Sequence, residues 1–127
     1  MRIAYIHGFA SSAMSGTVGV LRKYFPDDEV FAYDVPVEPA EALRFLEKKL
    51  KADKVDVVFG TSLGAYYAIK LKGFNKVALN PPFAPNRVLD QFLNTKVEFL
   101  NPRMHGEKTF KWTDRQHEQI AVLNENI

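Results

Sequence analysis

Short apolar segments alternate with amphipathic segments along the chain. Segment 55–60 is a short, mostly apolar run, which is typical of a strand buried in a parallel sheet. In 39–52, Leu43, Leu46 and Leu50 recur at helical spacing, with charged residues between them. The pattern predicts strands at 2–7, 30–34, 55–60 and 76–80, and helices at 15–25, 39–52, 63–72, 86–94 and 113–125.

The alternation of strands and helices predicts the fold class. Parallel strands need crossover connections, and right-handed helical crossovers supply them. With 127 residues there is room for one domain, so residues 1–127 are expected to form a single α/β domain with helices on both faces of a parallel sheet.

The periodicity weakens between residues 81 and 112. Residues 96–99 and 109–112 each alternate polar and apolar side chains, which predicts a short hairpin or a flap over the site. Aromatic residues in this region could line an acyl pocket, or they could simply be core. They are Phe83, Phe99, Phe110 and Trp112.

One pentapeptide, Gly60-Thr61-Ser62-Leu63-Gly64, carries the strongest chemical signal. It has the G-x-S-x-G pattern and lies between a predicted strand and a predicted helix, as a nucleophile elbow requires. A serine on so sharp a turn crowds the residues two before and two after it, and glycine at both positions relieves the crowding. The pattern predicts Ser62 as nucleophile and the Leu63 N–H as an oxyanion donor. The alternative is an ordinary turn between a strand and a helix, in which Ser62 has no catalytic role.

Five segments of the chain are informative when taken together. They are 5–12 (Tyr-Ile-His-Gly-Phe-Ala-Ser-Ser), 34–36 (Asp-Val-Pro), 60–68 (Gly-Thr-Ser-Leu-Gly-Ala-Tyr-Tyr-Ala), 79–81 (Leu-Asn-Pro) and 99–103 (Phe-Leu-Asn-Pro-Arg). Together these segments resemble the YqiA/YcfP-type small esterases, a family of the α/β-hydrolase superfamily. The resemblance covers nearly the whole chain and weakens toward its end.

The resemblance implies a serine hydrolase that acts on small acyl esters or thioesters, with sheet order 2-1-3-4. The sequence contains no G-x-G-x-x-G or Walker-type loop, so we expect no cofactor. The resemblance also implies Ser62 as nucleophile and the backbone N–H groups of Phe9 and Leu63 as the oxyanion hole. The loop and elbow residues that it implies are His7, Gly8, Gly60 and Gly64. For His7, a role in holding the loop is preferred to direct catalysis.

The chain also departs from the family pattern. Members continue with two more strands, one followed by the triad acid and the other by the triad histidine. This chain ends at Ile127, so we expect a C-terminally truncated version of the fold. Three accounts stay open: a fragment of a longer esterase, a binding or regulatory module without a triad, or an enzyme whose base comes from elsewhere.

Candidates for a general base near Ser62 are few. His105 lies in a predicted loop and His117 beside an apolar helical stripe, so both are expected at the surface. Asp34 and Asn80 end predicted strands, but loop capping is the expected role of Asp34, and Asn80 cannot ionise. The fourth strand would be a bare edge, so we expect a homodimer or larger assembly if 1–127 is the whole protein.

Composition narrows the remaining functional classes. Net charge is +2, with 46% hydrophobic and 25% charged residues, which gives no reason to expect nucleic acid or a membrane as a partner. There is no cysteine, no 18-residue apolar run and no signal-peptide pattern, so we expect a cytoplasmic protein. The histidine spacing predicts no metal site. A serine esterase is the preferred function, and a catalytically impaired binding module is the alternative.

Overall fold

The computed structural model describes the backbone of residues 1–125 and the side chains of residues 1–123. Its main sheet has four parallel strands in the order β2-β1-β3-β4, which confirms the predicted fold class and strand order. The strands are β1 (Arg2–Ile6), β2 (Glu29–Ala32), β3 (Val57–Thr61) and β4 (Asn75–Leu79).

Helices make each crossover between consecutive strands, as parallel pairing requires. The helices are α1 (Gly16–Tyr24), α2 (Pro39–Ala52), α3 (Leu63–Lys70), α4 (Pro85–Leu89) and α5 (Asp114–Glu125). The helix expected over 86–94 is shorter than predicted. After α4 the chain tightens into a 3-10 turn, Asp90–Phe92, and Asn94 then takes a positive φ of 59° that stops helical winding.

The two faces of the sheet are covered unequally. Ala4 and Ile6 of β1 face a large core, in which Leu46 of α2, Ala68 of α3 and Ile120 of α5 are fully buried. The side chain of Tyr5 points to the opposite face, where the buried residues Val18 and Leu21 belong to α1. The result is three layers, with one helix on one face and the other long helices on the opposite face.

The segment after α4 forms a second, two-stranded sheet. Strands β5 (Lys96–Glu98) and β6 (Thr109–Lys111) pair antiparallel, with Val97 opposite Phe110, which confirms the predicted hairpin. Helix α5 follows and begins with a capping box. The Thr113 N–H donates to Gln116 Oε1 at 2.9 Å, and the Gln116 N–H donates to Thr113 Oγ1 at 3.3 Å.

Strand β4 is the edge of the main sheet beside the elbow. Its side chains are mostly exposed, including Val77 (36%) and Leu79 (49%). Among the described residues, no helix combines the length and apolar character that crossing a membrane requires.

Candidate functional site

Ser62 occupies a single-residue turn between β3 and α3. Its backbone angles are φ 55° and ψ −121°, a region that non-glycine residues rarely adopt. Hydrogen bonds hold the turn from both sides: the Ser62 N–H donates to the Leu79 carbonyl at 3.0 Å, and the Tyr66 N–H donates to the Ser62 carbonyl at 3.1 Å. Strain of this kind persists only where the surrounding structure imposes it, and it is concentrated at functional sites.

The two glycines of the pentapeptide are required by close packing. A Cβ at Gly60 would lie 2.5 Å from the carbonyl oxygen of Gly64. A Cβ at Gly64 would lie 2.6 Å from the carbonyl oxygen of His7 and would also meet that of Ile6. Real Cβ atoms do not approach backbone so closely. Glycine at 60 therefore lets α3 begin close to β3, and glycine at 64 lets the start of α3 pack on the end of β1.

The loop after β1 passes directly beside Ser62. A Cβ at Gly8 would lie 3.6 Å from the Ser62 Cβ, an ordinary contact distance. The Ser11 N–H donates to the Gly8 carbonyl at 3.2 Å, which closes a four-residue turn over residues 8–11. Ala10, the third residue of that turn, has a positive φ of 63°, as a type II turn demands.

Phe9, Ser62 and Leu63 all line one apolar cavity of about 140 Å³. Within residues 1–125, the backbone N–H groups of Phe9 and Leu63 donate to no other group. Leu63 is the first residue of α3, where unpaired N–H groups and the helix dipole favour negative charge. The rest of the cavity wall is Pro82, Pro85, Val88, Leu89 and Phe92.

The aromatic residues proposed for an acyl pocket lie elsewhere. Trp112 is buried and Phe110 packs against the core, while Phe83 is 96% exposed. Phe99 stacks on Phe110, with ring centroids 4.8 Å apart. Of the aromatic residues that the structure describes, Phe9 and Phe92 line the cavity. The periodicity did not reveal Phe92 as a wall residue, because it had placed position 92 on a regular helix.

His7 is buried and both of its ring nitrogens are engaged. Nε2 accepts from the Val35 N–H at 3.0 Å, so the ring proton is on Nδ1, which donates to the Gly8 carbonyl at 2.8 Å. Burial lowers the pKa of His7 from 6.5 to about 4, which keeps the ring neutral at pH 7. These contacts agree with the preferred role of holding the loop.

Asp34 also holds the loop, as its position at the end of the second strand suggested. Its carboxylate oxygens accept from the Ala13 N–H at 2.8 Å and the Met104 N–H at 2.7 Å. Burial alone would raise the pKa of Asp34, but these two hydrogen bonds and the charge of Arg103 bring it below its ordinary value. Asp34 is therefore ionised at neutral pH, and both of its carboxylate oxygens already accept hydrogen bonds from the backbone.

The other two histidines do not line the Ser62 cavity either. The prediction that His117 is solvent-exposed is wrong, since its side chain is only 15% exposed. Its Nδ1 accepts from Trp112 Nε1 at 3.1 Å, and its Nε2 lies 2.8 Å from Asp90 Oδ1, so neither nitrogen is free to act as a base. His105 is exposed, as expected, and faces a separate groove beside α2.

Three strained residues lie at the carboxyl edge of the sheet. Ala10, Ser62 and Asn80 follow β1, β3 and β4, and each is a non-glycine residue with φ between 55° and 63°. In open parallel sheets, ligands bind at this edge. Among the described residues, no group of three or more histidine, aspartate and glutamate side chains is arranged to hold a metal ion.

Comparison with known proteins shows the family of the chain. No curated protein matches it. A family model does match, over residues 2–124, and so covers the elbow, the loop after β1 and the hairpin. The model describes an uncharacterised protein family, UPF0227. Because the match spans nearly the whole sequence, the chain belongs to the uncharacterised protein family UPF0227.

Proposed function

We propose that this chain has the active-site frame of a serine hydrolase of the esterase or thioesterase type, of the YqiA/YcfP lineage, with Ser62 as nucleophile. The observation that carries the proposal is the strained backbone of Ser62, at φ 55° and ψ −121° between a strand and a helix. A strained, exposed serine is costly unless its hydroxyl has a task that the turn makes possible.

The proposed reaction begins with attack of Ser62 Oγ on an acyl carbonyl carbon. The carbonyl oxygen becomes an oxyanion, which the N–H groups of Phe9 and Leu63 stabilise. The bond to the alcohol or thiol then breaks, and that leaving group takes the proton that serine lost. Water attacks the acyl-serine ester in the second half, which releases the acid and restores the hydroxyl.

The cavity beside Ser62 supports a small acyl group. At about 140 Å³ with apolar walls, it resembles in size an engineered apolar cavity of about 150 Å³ that accepts benzene. A chain of about six carbon atoms or one aromatic ring matches that space. We therefore propose small acyl esters or thioesters as substrates.

A second candidate function follows from the lining of the same cavity. Its walls, among the described residues, contain no histidine and no carboxylate. Without a base and an acid, oxyanion stabilisation and binding retain roughly 10³–10⁴-fold acceleration over water, far below a complete triad. The alternative is a binding module that holds an acyl or small anionic ligand at the start of α3.

Covalent labelling distinguishes the two functions. A fluorophosphonate probe should add one adduct to the chain, mapped by mass spectrometry to Ser62, and Ser62→Ala should abolish it. Ser15→Ala is the matched control, since Ser15 also precedes a helix, and it should label normally. An unlabelled Ser62 in folded protein would reject the hydrolase and leave the binding module.

We also propose a cytoplasmic location, since the sequence has no cysteine and so depends on no disulfide. If residues 1–127 are the whole protein, the position of β4 at the edge of the sheet supports pairing with a second copy of the chain.

A further inference from the structure

A closed ring of hydrogen bonds surrounds the loop that contains Phe9. His7 donates to the Gly8 carbonyl and accepts from the Val35 N–H. The Val35 carbonyl accepts from Arg103 Nη1 at 2.8 Å. The same guanidinium donates to the Ser11 carbonyl, from Nε at 3.1 Å and from Nη2 at 2.9 Å. These hydrogen bonds thus hold the loop at both ends, at Gly8 through His7 and at Ser11 through Arg103.

Two further contacts attach the hairpin region to the same loop. The Leu100 N–H donates to the Ala10 carbonyl at 2.8 Å, and Asn101 Nδ2 donates to Ser11 Oγ at 2.8 Å. The Arg103 guanidinium also stacks on the Phe99 ring, at 4.3 Å from the centroid. A planar fork that serves two carbonyls and an aromatic face is a task for arginine and not for lysine.

The Phe9 side chain is held by the same part of the chain. Its ring packs edge-to-face on Phe110 and Trp112, with centroids 5.4 Å and 5.3 Å away. Both partners follow the hairpin loop in sequence. The hairpin loop therefore holds the backbone at residues 10 and 11, and the residues that follow the loop hold the Phe9 ring.

We propose that Arg103 is a positioning residue for the oxyanion hole, which fixes residues 8–11 so that the Phe9 N–H faces the cavity beside Ser62. The proposal rests on the proposed hydrolase function for its catalytic consequence. Its structural half, that Arg103 keeps the loop rigid, stands independently. Arg103 touches no reacting atom and acts through the backbone of residue 11.

The first test measures backbone order by ¹⁵N relaxation. In the wild type, residues 8–11 should have order parameters near the rigid value of about 0.85, and in Arg103→Lys they should fall toward 0.6. Arg22→Lys is the matched control, because Arg22, on α1, also donates to a backbone carbonyl, that of Val30. Unchanged order at 8–11 in the Arg103 variant would overturn the proposal.

The second test measures fluorophosphonate labelling of Ser62 in the same variants. Arg103→Lys should slow labelling at least tenfold, with Arg22→Lys unaffected. Arg103→Ala should be slower still, and millimolar guanidinium ion should partly restore its rate, which general destabilisation would not allow. Labelling that stays fast while the loop loses order would overturn the positioning role.

The two tests together distinguish a failure of the Arg103 proposal from a failure of the proposed hydrolase function. A wild type that does not label, with a loop that still loses order in Arg103→Lys, rejects the hydrolase and supports Arg103 as the support of the loop. If Arg103→Lys does not fold, Asn101→Ala removes a second contact to Ser11 and keeps the guanidinium. Order at 8–11 should be largely kept, because the three Arg103 hydrogen bonds remain, and a fall toward 0.6 would assign the hold on the loop to Asn101 and overturn the proposal.

Discussion

Gly64 lies so close to His7 that the backbone of α3 touches the end of β1. A Cβ at Gly64 would be 2.6 Å from the His7 carbonyl oxygen, closer than side chains ever approach backbone. This contact brings the turn at Ser62 beside the loop at Gly8, although 54 residues separate the two positions. Ser62 and Phe9, the proposed nucleophile and the proposed second oxyanion donor, can line the same cavity because residue 64 has no Cβ.

We expect Gly64→Ala to destabilise the protein by about 3 kcal/mol or more, since the added methyl group forces a fixed backbone apart. Urea denaturation measures the change. Gly19→Ala is the control, because a Cβ there meets nothing within 4 Å, and it should stabilise α1 by up to about 1 kcal/mol. Equal stability of the Gly64 variant and the wild type would contradict the packing described above.

The buried neutral His7 predicts a loss of stability at mildly acidic pH. Burial lowers the pKa of His7 from 6.5 to about 4, so between these values the unfolded chain binds a proton that the folded chain excludes. The free energy of unfolding should keep its full value above pH 6.5 and should fall by up to about 3 kcal/mol as the pH drops to 4. The pKa of Asp34 is lowered from 3.8, so the stability that its ionised form contributes is present throughout this window and is lost only at lower pH.

Urea unfolding at half-unit steps from pH 7.5 to pH 4 tests this dependence. His7→Gln should lose most of the slope in that window, whereas His105→Gln, at an exposed position, should keep it. A slope of the same size in His7→Gln would assign the dependence to other groups.

The size of the cavity predicts a preference for short acyl groups. Phe92 forms one wall and packs on Phe9, with ring centroids 5.0 Å apart. Phe92→Ala should open that wall and raise the labelling rate of an octyl fluorophosphonate, relative to an ethyl one, about tenfold. Phe83→Ala, at a nearby residue that is 96% exposed, should leave the ratio unchanged. An unaltered ratio in the Phe92 variant would place the acyl group elsewhere.

If residues 1–127 are the whole protein, the exposed edge of the main sheet predicts self-association. Strand β4 lies at one end of the order β2-β1-β3-β4 and carries exposed Val77 and Leu79. Val77→Lys should dissociate a dimer, because a charge on an edge strand opposes further pairing. Size-exclusion chromatography with light scattering reports the mass. Val20→Lys, at an exposed position of α1, should leave a dimer intact, and a monomeric wild type would end the proposal.

Local signals predicted the frame of the molecule well. Pro39 and the leucine repeat predicted α2 at its observed bounds, because proline suits a first helical turn and the leucines mark the buried face. The glycines at 60 and 64 identified the strand–turn–helix element, because only glycine tolerates the contacts found there. The strand order came from family resemblance, and the structure confirms it.

Long-range contacts of the site were beyond local signals. Arg103 binds carbonyl oxygens, which every residue has, so its partners at Ser11 and Val35 leave no mark in the sequence. His117 looked exposed because polar residues flank it, yet Trp112 and Asp90 enclose it. Phe92 lines the cavity from a 3-10 turn, in place of the regular helix that the periodicity predicts.

The hydrogen bonds from Arg103 to Ser11 and Val35 can form only late in synthesis of the chain. Residues 11 and 103 are joined across 92 positions, and closing so wide a separation is slow compared with forming a helix turn. The four parallel strands and α3 are all made before residue 103 leaves the ribosome. The loop after β1 therefore gains its contacts with Arg103 only after both strands that flank it and the segment around Ser62 have been synthesised.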